Sequence, residues 1–268
     1  MYEEPYKWVE AVGNRRQYLD EQFKQGSPVV AVAYERGIVL LTVSKGTPKL
    51  YEIYDRLGLG GMGHPADLEK LRFTLLEMAH VEGFNRSPSD VTGSRMVKYG
   101  IAPVIKQAFE EVFKAPFIVK ILLAELGQKT GKESFLVINY DGTFEEGSHC
   151  AVLAATKAVE QEMLKSLHGN PASLSLELAL GAALRAWALG DRLQRLAAET
   201  EGDRGGEAAE VPSVDTTSLY AHVRATVAEK TLECAVLDRA QPGSSKYRAL
   251  MPEELGRLLP KDVNLSLS

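Results

Sequence analysis

Strand-like and helix-like patterns follow one another in blocks along this 268-residue chain, and that ordering excludes most fold classes. Residues 5–25 read as a helix. Pro5 suits a first helical turn and Gly26 a stop, while Trp8, Val9, Val12, Leu19 and Phe23 trace one apolar stripe opposite a charged face. The period then drops to that of strands. Val29–Tyr34 and residues 38–43 are apolar, β-branched runs across the turn Glu35-Arg36-Gly37, which reads as a hairpin buried on both faces. Leu50–Tyr54 and Leu57–Gly63 form a second pair, and the crowding of Gly58, Gly60, Gly61 and Gly63 implies close packing of the second strand. Helices follow over 65–83 and 89–113, with Pro103 kinking or breaking the latter. Strands return over 117–124, 134–139 and 149–153, then helices over 156–167 and 174–189. Residues 197–214, polar, acidic and glycine-rich, read as a flexible surface loop. Strands are expected near 221–227, 231–237 and 246–250, then a short helix over 252–259 and a loose tail over 260–268. Blocks of this kind, without βα alternation, predict an α/β chain of the layered α+β type. Two antiparallel sheets between two helix pairs would cover every apolar face.

Charge and composition narrow the function. Net charge is −5, with 45% hydrophobic and 25% charged residues. That is globular composition, and it offers no basic excess with which to neutralise nucleic-acid phosphates. Residues 1–8 (MYEEPYKW) are acidic and aromatic, unlike a signal peptide, and no apolar run approaches the ~20 residues of a membrane span. A cytoplasmic location is the expectation. Cys150 and Cys234 each open an apolar Cys-Ala-Val-Leu run and read as buried reduced thiols, without metal-ligand spacing. The five histidines show no ligand spacing either, so no metal and no cofactor is expected. Gly58-Leu-Gly-Gly-Met-Gly63 fails the glycine order of a dinucleotide loop and lacks its acidic ribose partner.

Gly26-Ser-Pro-Val-Val-Ala-Val-Ala-Tyr-Glu-Arg-Gly-Ile-Val-Leu-Leu41 resembles the opening hairpin of proteasome subunits, within the Ntn-hydrolase fold. Lys49-Leu-Tyr-Glu-Ile-Tyr-Asp-Arg-Leu-Gly58 resembles the following segment of bacterial α-type subunits. Asp90-Val-Thr-Gly-Ser-Arg95 is similar to the start of their second helix, Ile138-Asn-Tyr-Asp-Gly-Thr143 to their central hairpin turn and Cys234-Ala-Val-Leu-Asp238 to a late strand. The similarity runs over about residues 6–259. It implies a four-layer αββα sandwich of the Ntn-hydrolase type over 26–259, preceded by a gate segment and helix over 1–25.

Active β-type members of that family use an N-terminal threonine, whose hydroxyl attacks and whose free amine is the base. Ser27 stands at that place, with 26 residues before it. Val43 falls where the acidic partner belongs, and Ala154-Ala155-Thr156 replaces a serine-glycine-serine stretch; the tuning lysine remains as Lys49. The resemblance therefore implies a non-catalytic α-type subunit, with a self-processing hydrolase built on Ser27 as the alternative. It further implies a homo-heptameric outer ring stacked on β-type protease subunits, and a ring-shaped AAA ATPase or other activator as partner. Lys49 would accept the activator's C-terminal carboxylate in a pocket with Gly26 on its rim. A plain surface lysine and a helix C-cap are the simpler readings of the same two residues. Met1, Tyr2, Glu3, Glu4, Pro5, Tyr6 and Trp8 would form the gate, or else a frayed terminus. A free-standing assembly without β-type subunits also stays open.

Overall fold

The computed structural model describes residues 4–111, 113–129, 131–169, 174–202 and 215–263. Helix α1 (Glu4–Phe23) leads into β1 (Val29–Tyr34), β2 (Gly37–Ser44), β3 (Leu50–Tyr54) and β4 (Leu57–Gly63). Helix α2 (Pro65–Asn85), the short α3 (Gly93–Arg95) and α4 (Ala102–Glu110) precede β5 (Val119–Glu125), β6 (Ser134–Ile138), β7 (Phe144–Gly147) and β8 (Cys150–Leu153). Then come α5 (Lys157–Leu167), α6 (Leu176–Gly202), α7 (Thr216–Val227), β9 (Thr231–Asp238), β10 (Tyr247–Ala249) and α8 (Pro252–Leu258). The strands form two antiparallel sheets, ordered β10-β9-β2-β1-β8 and β3-β4-β5-β6-β7.

The two buried strands explain the layering. Every residue of β1 and β2 is buried, and their register pairs Val30 with Leu41 and Ala31 with Leu40. Successive side chains alternate faces. Val30, Val32, Val39, Leu41 and Val43 therefore pack under α5, α6 and α7, while Val29, Ala31, Ile38 and Leu40 meet the second sheet. That sheet turns Leu59, Ile121, Leu123 and Leu136 outward onto α2, α3 and α4. The result is the expected αββα sandwich. The glycines of β4 permit the close approach. A Cβ at Gly61 would lie 2.2 Å from Leu68, and one at Gly63 (φ 129°) only 2.0 Å from the Ile118 carbonyl oxygen.

Several expectations need correction. Residues 221–227 form the end of helix α7, not a strand: Leu219, Val223 and Thr226 are buried at spacings of four and three, and the β-branched side chains misled the reading. The exposed strand β7 was unforeseen, because Phe-Glu-Glu-Gly at a sheet edge carries no apolar alternation. Helix α6 runs through residue 202, since Leu-Ala-Ala-Glu-Thr-Glu continues it with good helix formers; the expected loop over 197–214 is thus helical at its start, and 203–214 lie outside the described residues. The expected tail begins with a docked turn, Lys261–Val263, whose Val263 is fully buried. The helix expected over 89–113 starts at Gly93 and runs on to Glu110 without a break, and it takes up Pro103 by a local change of winding. A π turn over Met96–Ile101 stands directly before Pro103, where the altered hydrogen-bond register accommodates the missing N–H.

Among the described residues, no helix is long and apolar enough to cross a membrane and no group of three His, Cys, Asp or Glu could hold a metal ion. Cys234 is buried and Cys150 half-buried; both thiols are free, and burial pushes both upward in pKa.

Candidate functional site

Helix α1 meets β1 at Gly26-Ser27-Pro28, and four elements converge on that joint. The Gly26 N–H donates to the Phe23 carbonyl at 2.9 Å, closing the helix end. A Cβ at Gly26 would come within 2.3 Å of Met62 Cε, so the absence of a side chain lets α1 lie against β4. From α6, Gln194 Nε2 donates to the Gly26 carbonyl at 2.7 Å while its Oε1 accepts from the Ala155 N–H at 2.7 Å. From β2, Thr42 Oγ1 donates to the Pro28 carbonyl at 2.7 Å.

Ser27 is buried, and its Oγ accepts a hydrogen bond from the Trp187 indole Nε1 at 3.1 Å. The indole is the only side chain hydrogen-bonded to this hydroxyl among the described residues, and it is a donor, so it cannot serve as a base. Val43 is fully buried in β2 opposite Leu232. At Ala154-Ala155, buried Lys120 Nζ donates to both carbonyls, at 2.7 and 3.1 Å, and to Glu160 Oε1 at 3.4 Å. Burial lowers the Lys120 pKa, with Glu160 opposing the shift. This ion pair ties β5 and α5 to the same joint.

Beside the joint lies a cavity of about 290 Å³. Gly26, Ser27, Val43 and Lys49 all line it, so the residues singled out from sequence come together. Two more lysines, Lys45 and Lys230, line it as well, and among the described residues no carboxylate does. The β2–β9 register ends at Ser44 opposite Thr231, which sets Lys45 and Lys230 against each other just past the ladder. Lys230 carried no signal of its own; only the pairing of strands distant in sequence brings it here.

The backbone fixes where Lys49 begins. Glu233 Oε2 accepts from the Lys49 N–H at 2.9 Å, and the Lys49 carbonyl accepts from the Gly61 N–H at 3.0 Å. Among the described residues no ion pair engages Lys45, Lys49 or Lys230. Burial pushes the Lys49 ammonium down to about 8; Glu233 and Asp191 oppose the shift, while Lys230 and Lys45 add to it. Asp191 is itself occupied, accepting from His222 Nε2 and pairing with Arg195 Nη2, both at 2.8 Å. Burial would raise its pKa, yet these two partners hold it below the ordinary value. The cavity thus gathers three lysines against apolar walls at Val43, Leu68 and Ile118.

Of the expected gate residues, Met1, Tyr2 and Glu3 lie outside the described residues. Glu4, Pro5 and Tyr6 open α1, and Trp8 is 47% exposed. Three turns further along, the helix is anchored. Leu19 and Phe23 are fully buried, and Phe23 stacks on Tyr140 at 5.8 Å. The Arg15 guanidinium donates to the carbonyls of Ala108, Phe109 and Glu111 at the end of α4. Trp8 stands roughly 22 Å from Phe23 at 1.5 Å per residue, so the gate candidates and the pocket occupy opposite ends of one helix.

The family described as Proteasome subunit matches residues 23–190, from the last residue of α1 into α6. The chain is similar to the protein named Proteasome subunit alpha of Streptomyces scabiei, 25% identical over 259 residues, covering 94% of this chain and 90% of that one. It is 29% identical over 238 residues to the protein of that name from Saccharopolyspora erythraea, covering 88% and 79%. Over 171 residues it is 30% identical to that of Streptosporangium roseum, covering 62% and 65%.

Proposed function

Because the chain belongs to the proteasome subunit family, we propose that it serves as a non-catalytic α-type subunit. In this reading it forms a homo-heptameric outer ring on β-type protease subunits in the cytoplasm, gates access to their chamber through residues 1–8, and docks the C-terminal tail of a ring-shaped ATPase or other activator at Gly26 and Lys49. The observation that carries the reading is the state of Ser27: its hydroxyl is buried against the Trp187 indole, and its nitrogen follows a helix whose last turns are packed into the inter-sheet core. Removing residues 1–26 to free an amine would expose Phe109, Leu122 and Tyr140, which pack in that core with Leu19 and Phe23. The alternative, a self-processing hydrolase, needs the Ser27 amine freed as its base, and it places the fully buried Val43 where an acidic partner belongs.

The pocket supports the docking role. A carboxylate is the simplest partner for a lysine ammonium that has no ion pair among the described residues, and Gly26 lines the same pocket. Assembly finds support in α2, where Phe73, Val81 and Phe84 share one exposed side, Phe84 being 91% exposed. Substitution separates the two roles. In the particle assembled with a β-type partner, Ser27→Ala leaves peptide hydrolysis unchanged, and Lys49→Met abolishes its stimulation by an activator tail. A Ser27→Ala variant that lost hydrolysis would overturn the reading.

A further inference from the structure

Three lysines around one small pocket exceed what a single carboxylate needs. Lys45, Lys49 and Lys230 line the cavity, no Asp or Glu among the described residues does, and the chain as a whole carries a net charge of −5. The nearby acids make contacts of their own: Glu233 Oε2 accepts from the N–H groups of Lys49 and Leu50 while its charge still draws the Lys49 ammonium, and Asp191 pairs with His222 and Arg195. Lys45 and Lys230 also face each other across the end of the β2–β9 ladder, an arrangement of like charges that destabilises a sheet pair. An anion held between them relieves that repulsion, whereas one bound at Lys49 alone leaves it in place.

Resting on the tail-pocket reading above, we propose that the preferred occupant is a protein C-terminus whose last residue is Asp or Glu, so that its terminal and side-chain carboxylates are neutralised together, one by Lys49 and the other by the Lys45–Lys230 pair. The walls argue for a peptide over a compact inorganic anion, because Val43, Pro48, Pro65, Leu68 and Ile118 give apolar surface that a phosphate leaves unused. Gln22 on α1, Gln25 just beyond its end and Thr47 in the β2–β3 turn add neutral polar groups for the tail's backbone.

The test is fluorescence anisotropy of labelled peptides, identical except for a last residue of Glu or Gln, titrated with the purified full-length protein at low salt. The Glu-ended peptide binds about tenfold tighter, the advantage of one further charge-assisted contact. In Lys230→Gln, and separately in Lys45→Gln, that advantage falls below about twofold while the Gln-ended peptide keeps its affinity. Equal binding of the two peptides to the unsubstituted protein would overturn this proposal and leave the tail pocket standing. Absence of binding by either would overturn both. Displacement of the Glu-ended peptide by equimolar inorganic phosphate would show that the site selects charge alone, and would overturn the choice of occupant.

Discussion

Lys49 is a residue whose usefulness and whose cost to the fold have one origin. Its folded pKa of about 8 lies below the ordinary 10.5, so between those values the unfolded chain holds the extra proton. Stability is therefore expected to rise as pH climbs from 8 toward 10.5 and to gain nothing from this group below 8. Tail binding follows the opposite course, fading as the ammonium deprotonates above 8. Thermal melts and anisotropy titrations across that range check both signs. Lys49→Met is expected to raise the melting temperature at pH 7 while removing tail binding. Lys120 behaves differently, because its charge is matched inside the protein. Lys120→Met leaves the Glu160 carboxylate with only Lys157 and the Ala154 N–H and is expected to cost about 3 kcal/mol in denaturant unfolding, while the pair Lys120→Met with Glu160→Leu costs less than the single change. Gly26 and Lys49 were legible in the sequence because each stands in a segment with a recognisable pattern. Lys230, Trp187 and Gln194 were not: each reaches the joint from more than 130 positions away, through pairing and packing that no local pattern records.

At the scale of elements, α1 is a lever fixed near its C-terminal end. Arg15 supplies donors to the last carbonyls of α4, groups that every helix end leaves without partners of its own. Arg15→Ala is expected to destabilise by about 1.5–3 kcal/mol. It should also speed proteolytic cutting between α1 and β1, read by limited digestion, and raise the basal peptidase rate of the assembled particle by loosening the gate. An unchanged digestion pattern would mean that Leu19 and Phe23 hold the helix unaided. The opening hairpins and α2 could be read directly because their apolar periods are long and uninterrupted. Helix α7 could not, since Val and Thr fit either period and only burial against α6 decides; β7 could not, since an exposed edge strand needs no apolar residue. Glycine-rich β4 was legible as a place of close packing, and Gly63→Ala, with its positive φ and the Ile118 carbonyl in the way, is expected to cost about 2–3 kcal/mol.

For the whole molecule, the block order of strands and helices carried the layering, because antiparallel sheets with one helix layer each are what such blocks can bury. Phe84 on α2 and Trp8 on α1 stay exposed outside the layers, and in the proposed function they meet neighbouring subunits. In the proposed function this chain builds and gates a proteolytic particle without cutting peptide bonds itself. Intact mass and peptidase assay of the purified chain, alone and co-expressed with a β-type subunit, test it most directly. The account predicts an unprocessed mass near 29.3 kDa in both cases and hydrolysis only when the partner is present. Loss of residues 1–26 together with hydrolysis by the chain alone would contradict it and make Ser27 the nucleophile.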